Sequence, residues 1–256
     1  MSGESVVRIG VLLPDVLGTY SDRGNATVLA QRLRWRGIDA DVITVTAGSR
    51  PPGDCDVYVI GGGEDVAQCF AAEWLRRHRQ LRTRLQTAPV FAVCAGLQVL
   101  GHWVEGVDGR RRPGLGILDI TTSPGRRRAV GEVVARCALP GIGTLTGFEN
   151  HRGVTRLGPD ATPLAAVVHG VGNGSGDGGE GALTSTVIGT YMHGPVLARN
   201  PALADHIVHA VTGRVPPPLE LPEQEDVRHV HLTGAARRPL DPLRRVRAAI
   251  GRPRRR

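Results

Sequence analysis

The sequence predicts an α/β protein: a mostly parallel sheet flanked by helices, with added antiparallel strands in its second half. Three observations carry that prediction. The first sixty residues alternate apolar runs with one amphipathic stretch, a β-α-β order that right-handed crossovers close into a parallel sheet. Next, Pro89-Val90-Phe91-Ala92-Val93 leaves no room for a solvated face, as in a strand buried on both sides, and Cys94-Ala95-Gly96 turns it directly into a helix. Finally, the runs after Leu115 are short, rich in Val, Ile and Thr, and lack helical periodicity.

Taken in order, Val6 to Leu13 is a first strand that Pro14 ends, and the loop after it carries Asp15, Tyr20, Ser21, Asp22, Arg23 and Asn25. A helix follows with Ala26, Leu29, Ala30 and Leu33 on one stripe, closed by Gly37. Ile38 to Val45 and Asp56 to Ile60 are the next strands. Gly61-Gly62-Gly63 then leads into a helix expected from Asp65 to about Gln86, with Val66, Phe70, Trp74 and Leu81 buried and Arg76, Arg77, Arg79 and Arg82 in water. Behind the Cys94 helix, Gly106 to Gly116 reads as a loop. Leu115 to Thr122, Ala129 to Cys137, Thr144 to Phe148, Leu164 to Val168 and Ser185 to Tyr191 read as strands, with Arg126-Arg127-Arg128 between two of them. Gly170 to Gly181 has the composition of a mobile glycine loop. A helix from Pro201 to about Thr212 closes a first unit, residues 1–213; residues 214–256 form a Pro/Arg-rich extension expected to be a flexible, solvated end.

The 256 residues include 32 basic and 24 acidic ones, a formal charge of +8, and every basic residue is Arg. With aromatics at 4%, too few to stack on bases, this composition argues against nucleic acid as the main partner. Cys55, Cys69, Cys94 and Cys137 show no CxxC spacing, so neither a zinc site nor a disulfide framework is signalled, and the usage fits a reducing cytoplasm. No signal peptide is visible in the first residues, and no apolar run is long enough to span a bilayer.

The chemistry centres on Cys94. A cysteine at a sharp strand-to-helix turn stands at the carboxyl edge of the sheet and at a helix N-terminus, which favours thiolate. The N–H of Ala95 is then placed as an oxyanion donor. A free cysteine is also often just a small buried hydrophobe, and the local sequence weighs the two readings evenly. Gly61-Gly62-Gly63 allows close backbone approach to a bound group, or merely a tight strand-helix junction; no Gly-Lys-Ser/Thr follows, so it is not a P-loop. Of nine histidines, His193 is the best candidate base: it ends a strand before Gly194-Pro195, facing the same sheet edge as Cys94. One arginine of Arg126, Arg127 and Arg128 is a candidate clamp for a substrate carboxylate, against the default of a surface charge run.

Cys94 to Gly101, the Gly61 to Gly63 turn, Gly147-Phe148-Glu149-Asn150-His151-Arg152-Gly153 and Tyr191-Met192-His193-Gly194 together resemble the class I glutamine amidotransferase domains of the CobB/CobQ type, over about residues 6 to 213. The loop Tyr20-Ser21-Asp22-Arg23-Gly24-Asn25 is similar to that of the GatD-type glutaminase subunits of lipid II isoglutaminyl synthase. The resemblance implies the flavodoxin-like fold of that class and a glutaminase with Cys94 as nucleophile and His193 as base. It further implies an oxyanion site from the N–H groups of Ala95 and the Gly62/Gly63 turn, Gln98 lining the glutamine site, and Arg128, with Arg127 second, on the α-carboxylate. Ammonia would pass to a MurT-like Mur ligase subunit in a heterodimer, which holds ATP and Mg and amidates the α-carboxyl of D-glutamate in lipid II; this chain has no cofactor of its own and touches the membrane at most peripherally.

Two departures stand out: Ala92 replaces a frequent Gly two residues before the cysteine, and Pro195 stands where many class I enzymes place an acid two residues after the histidine. The orienting carboxylate is therefore expected from a distant residue or from the partner chain. A cobyrinate-type amidotransferase and a non-catalytic binding subunit are the alternative readings.

Overall fold

A computed structural model describes residues 6–20, 22–52 and 54–237. The first half runs β1 (Val7–Leu12), α1 (Gly24–Arg34), β2 (Ala40–Val45), β3 (Val57–Ile60), α2 (Asp65–Arg77), α3 (Arg79–Leu85), β4 (Val90–Val93) and α4 (Ala95–Leu100). The second half holds β5 (Trp103–Glu105), β6 (Arg111–Pro113), β7 (Ile120–Cys137), β8 (Thr144–Leu157), β9 (Ala165–His169), β10 (Gly179–Glu180), β11 (Ala182–Leu183), β12 (Val187–Thr190) and β13 (Met192–His193), then α5 (Val196–Arg199), α6 (Pro201–Thr212) and α7 (Pro222–Arg237).

One sheet has the order β11-β12-β4-β3-β1-β2, parallel throughout except for β11 at its edge. Its central strands β3, β4 and β12 are buried at every residue, which is why they read as unbroken apolar runs. The α1 stripe of Ala26, Leu29, Ala30 and Leu33 is buried as its spacing requires. The second sheet is mainly antiparallel, built on the β7–β8 hairpin, with β9, β10, β5, β6 and β13 added around it.

Several expectations need correction. Arg126-Arg127-Arg128 does not link two strands: Ile120–Cys137 is one long strand, and the cluster lies where its register with β8 shifts between Pro124 and Ala129. The expected loop at Gly106 to Gly116 contains a strand, β6, paired antiparallel with β5. The helix after Gly63 breaks at His78, whose ψ of 74° is not helical. Its packed face is Gln68, Ala71, Ala72, Trp74 and Leu75, whereas Val66 and Phe70 are exposed; small residues bring the helix close to its neighbours, and the 3.6-residue stripe belongs to them.

The glycine segment 170–181 is pinned rather than mobile. Asn173 exchanges two hydrogen bonds with the main chain of Gly181 (2.8 and 2.9 Å), and Glu149 accepts from the N–H groups of Val171 and Gly172. The extension is likewise partly docked: in α7, Gln224 donates to Ala198 O at 2.7 Å, and Arg228 donates to Arg199 O, Asn200 Oδ1 and Thr144 O. Burial lowers the Arg228 pKa below its ordinary value, the mark of a cation held inside the fold. The basic end, residues 239–256, lies outside the described residues. No helix among the described residues is long and apolar enough to cross a membrane.

Glu180, fully buried beneath β12, accepts from Thr190 Oγ1 and the Tyr191 N–H through Oε1, while Oε2 has no partner among the described residues. Burial pushes its carboxyl up to about 7 despite those bonds. The folded state therefore binds a proton more tightly than the unfolded one, and stability falls as pH rises from 4.5 through about 7. Glu180→Gln should remove that slope and stabilise the protein at pH 8 by about 1–3 kcal/mol, read from urea midpoints at pH 5 and 8.

Candidate active site

Parallel pairing brings the site together. Val93, the last residue of β4, lies opposite Thr190, the last of β12, and the Cys94 N–H donates to Thr190 O at 2.8 Å. Cys94 and His193 thus leave neighbouring strands at the same carboxyl edge, where open α/β sheets bind ligands. Cys94 has φ +51° and ψ −107°, a strained left-handed conformation for a residue with a side chain, held because β4 must turn at once into α4. Gly96 permits that turn: a Cβ there would stand 2.7 Å from Ile60 O, and its N–H donates to Gly61 O.

His193 is nearly fully buried. Its Nδ1 bonds Asp22 Oδ2 at 2.9 Å, across 171 residues of sequence. Burial disfavours the imidazolium, but the hydrogen bond to the Asp22 carboxylate and the neighbouring Cys94 outweigh it and raise the pKa to about 9. Donation from Nδ1 to the carboxylate leaves Nε2 for proton transfer, and Nε2 is buried with no hydrogen-bond partner among the described residues. Asp22 itself is held by its loop: its carbonyl accepts from Asn25 Nδ2 at 2.9 Å, and Asn25 Oδ1 accepts from the N–H of Leu197, just beyond the histidine. Pro195 packs against Gly24 instead of supplying an acid. The orienting carboxylate thus comes from the distant residue and not from a second chain.

Gly62 sits at the junction of all three. A Cβ there would stand 2.6 Å from His193 Cε1, 3.1 Å from Asp22 Oδ2 and 3.3 Å from Cys94 Cβ, so only glycine fits. Its N–H donates to Asp22 Oδ2 at 2.9 Å, which corrects its expected role as an oxyanion donor: the group is already engaged. The N–H groups of Gly63 and Ala95 make no hydrogen bond among the described residues and are free to donate.

A cavity of about 630 Å³ opens beside the thiol, lined by Gly63, Gln68, Cys94, Gln98, Thr122, Arg128, Asn150, His151 and Gly153 among others. Of the expected site residues, Gly63, Cys94, Gln98 and Arg128 share this cavity; Gly62, Ala95 and His193 are not part of its lining. Gln98 is locked, its Oε1 accepting from Gln68 Nε2 and its Nε2 donating to Tyr191 Oη at 2.8 Å. Arg126 and Arg127 line a separate depression, so position separates the three arginines where spacing had left them level. A second cavity of about 630 Å³, beside α2 and α3, is lined by Arg76, Arg77, Arg79 and Arg82 and holds no cysteine or histidine.

A thiol on a strained turn, an imidazole oriented by a buried carboxylate, unpaired N–H groups and a cavity with a cation on its wall make a site suited to acyl transfer from an amide through a thioester. This defines the class: a cysteine-dependent amidotransferase on a parallel α/β sheet. The chain belongs to the CobB/CobQ-like glutamine amidotransferase domain family, whose profile matches residues 8–201. It is 35% identical over 214 residues to the lipid II isoglutaminyl synthase (glutamine-hydrolyzing) subunit GatD of Staphylococcus aureus strain N315, covering 81% of this chain and 85% of that one. The corresponding subunit of Streptococcus pneumoniae is 32% identical over 226 residues, 86% of each chain. The same fold occurs in a solved glutamine amidotransferase at 21% identity and a TM-score of 0.55, covering 79% of this chain and 98% of that one.

Asp22→Asn should lower the His193 pKa and lower the glutaminase kcat on the order of 10²- to 10⁴-fold, with little change in KM. The measurement is steady-state glutamate release against pH.

Proposed function

We propose that this chain is the glutamine-hydrolysing subunit of a cytoplasmic lipid II isoglutaminyl synthase. Supporting it are membership of the amidotransferase family and similarity over most of its length to two GatD subunits. The observation that carries the hydrolytic half is the bond between His193 and Asp22, which sets up the imidazole beside Cys94 from within one chain.

In this reading the glutamine α-carboxylate meets Arg128, and its side-chain amide reaches into the cavity toward Cys94. The thiol proton passes to His193 Nε2 as Sγ bonds the amide carbon, and the oxyanion accepts from the N–H groups of Ala95 and Gly63. His193, stabilised as imidazolium by Asp22, gives the proton to the leaving nitrogen, and the C–N bond breaks to release ammonia and leave a thioester. Water then attacks the thioester, His193 takes its proton and returns one to the sulfur, and glutamate departs. Ammonia passes to a MurT-like Mur ligase subunit that binds ATP and Mg and amidates the D-glutamate α-carboxyl of lipid II, forming isoglutamine. Lipid II reaches this chain only through that partner.

Glutamate release by the chain alone and with a co-expressed MurT-like subunit tests the reading. Turnover should be present in the chain alone, since Asp22 completes the site in cis, and be coupled to lipid II amidation when the partner is added. Cys94→Ser should abolish both, by at least roughly 10³-fold. Unchanged turnover in that variant would overturn the assignment.

A further inference from the structure

Tyr20 touches both the imidazole and Asn150, a residue of the cavity wall. It has φ +54°, an uncommon conformation for a non-glycine residue, and is about 43% exposed. Its ring packs against the His193 imidazole, with centroids 4.9 Å apart and planes at 52°, and against Phe148 at 5.9 Å. Its hydroxyl accepts from Asn150 Nδ2, and Asn150 Oδ1 accepts from Arg128 Nε. Arg128 and Asn150 lie on β7 and β8 and line the cavity, whereas Tyr20 follows β1, so the chain of contacts ties the cavity wall to the loop after β1. Two residues beyond Tyr20, Asp22 holds the ring nitrogen of the same imidazole.

The Arg128 side chain engages Asn150 through Nε alone, and its terminal nitrogens make no hydrogen bond among the described residues. Those two nitrogens form the end of the fork that a carboxylate takes in bidentate fashion. A guanidinium fixed by such a ligand fixes Asn150, and Asn150 fixes the Tyr20 hydroxyl. With Arg128 unbound, the Tyr20 ring is anchored through an exposed arginine side chain that keeps its own freedom.

We propose that Tyr20 and Asn150 are positioning residues that transmit occupancy of Arg128 to the His193 imidazole. The proposal rests on the glutaminase reading for the identity of the ligand. Binding of the α-carboxylate, remote from the reacting amide, is converted into alignment of the base, so the relay acts on kcat for substrates that carry that carboxylate. An amide lacking it gains nothing from the relay. Neither Tyr20 nor Asn150 takes or gives a proton in this scheme.

A double-mutant cycle tests the coupling. Tyr20→Phe keeps the ring on His193 and Phe148 and removes only the hydroxyl that bonds Asn150. In the protein with its partner subunit, the expected result is a fall in glutamine kcat of roughly 5- to 20-fold, typical of a lost coupling, and no fall with 4-aminobutanamide, the glutamine analogue without the α-carboxylate. In an Arg128→Ala background, Tyr20→Phe should change kcat less than about twofold, because the relay is already broken. Multiplicative effects, or an equal loss with both amides, would overturn the proposal.

A second readout needs no turnover: the rate at which iodoacetamide alkylates Cys94, followed against pH. Burial is the largest influence lowering the His193 pKa; a ring that stays beside the imidazole but has lost its tie to Asn150 shields it less well, which favours the imidazolium and moves the alkylation profile to lower pH. Tyr20→Phe and Arg128→Ala should give the same shift, roughly half a pH unit, with no further shift in the double variant. Separate or absent shifts would reject the relay. Failure of wild-type protein to hydrolyse glutamine would instead reject the amidotransferase reading, with the alkylation profile still deciding the relay.

Discussion

One oxygen atom organises the site. Asp22 Oδ2 accepts from His193 Nδ1 and from the Gly62 N–H, each at 2.9 Å, and so ties the loop after β1 to the turn after β3 and to the histidine beyond β12. The carboxylate is wholly buried, where an unpaired charge is costly, and the two hydrogen bonds it accepts, from His193 Nδ1 and the Gly62 N–H, offset that cost. Because Gly62 has no side chain, the three strand ends converge within van der Waals contact of the cysteine. Moving any one of them would leave a buried charge or a buried N–H without a partner.

The parallel sheet delivers the reacting groups and the antiparallel sheet shapes what they meet. β13 lies antiparallel to β8, with His193 opposite Phe148, so the segment carrying the base belongs to both sheets. β7 and β8 provide Arg128, Asn150, His151 and Gly153 to the cavity wall. The locked amide of Gln98 and the hydroxyls of Tyr191, Thr155 and Thr122 form a continuous polar floor between the sheets, each member bonded to the next.

The parallel half of this arrangement was written plainly in the sequence, because its strands are buried on both faces and read as apolar runs ending in glycine or cysteine. The turn that carries Cys94 was legible from the strand and helix on either side of it, though its chemistry was not, and the position of His193 from its place at a strand end. Asp22 was not: nothing local marks one acid among the polar residues of its loop, and the bond to His193 exists only after β1, β3, β4 and β12 have paired. Gly62 looked like a donor because its own sequence does not show that Asp22 claims its N–H. The second sheet was read in fragments, since a register shift inside β7 places Pro124, Gly125 and three arginines in mid-strand, where composition signals a loop. The glycine segment before β11 misled for a similar reason: Asn173 and Glu149 hold it through long-range bonds that composition does not reveal.

The docking of α7 bears on where this protein can be divided. Arg228 reaches Asn200 Oδ1, and Asn200 in turn holds the main chain of Thr146 and Val196, the latter opening the short helix just past His193. Arg32, in the first helix, bonds Asp205 and Gln224. The end of the family match at residue 201 is therefore not a seam in the molecule: the segment following it closes the fold back onto its beginning. A fragment used for crystallisation, fusion or partner reconstitution should run at least through Arg237, and a tag or linker placed before Pro222 would separate a clasp from the body it fastens.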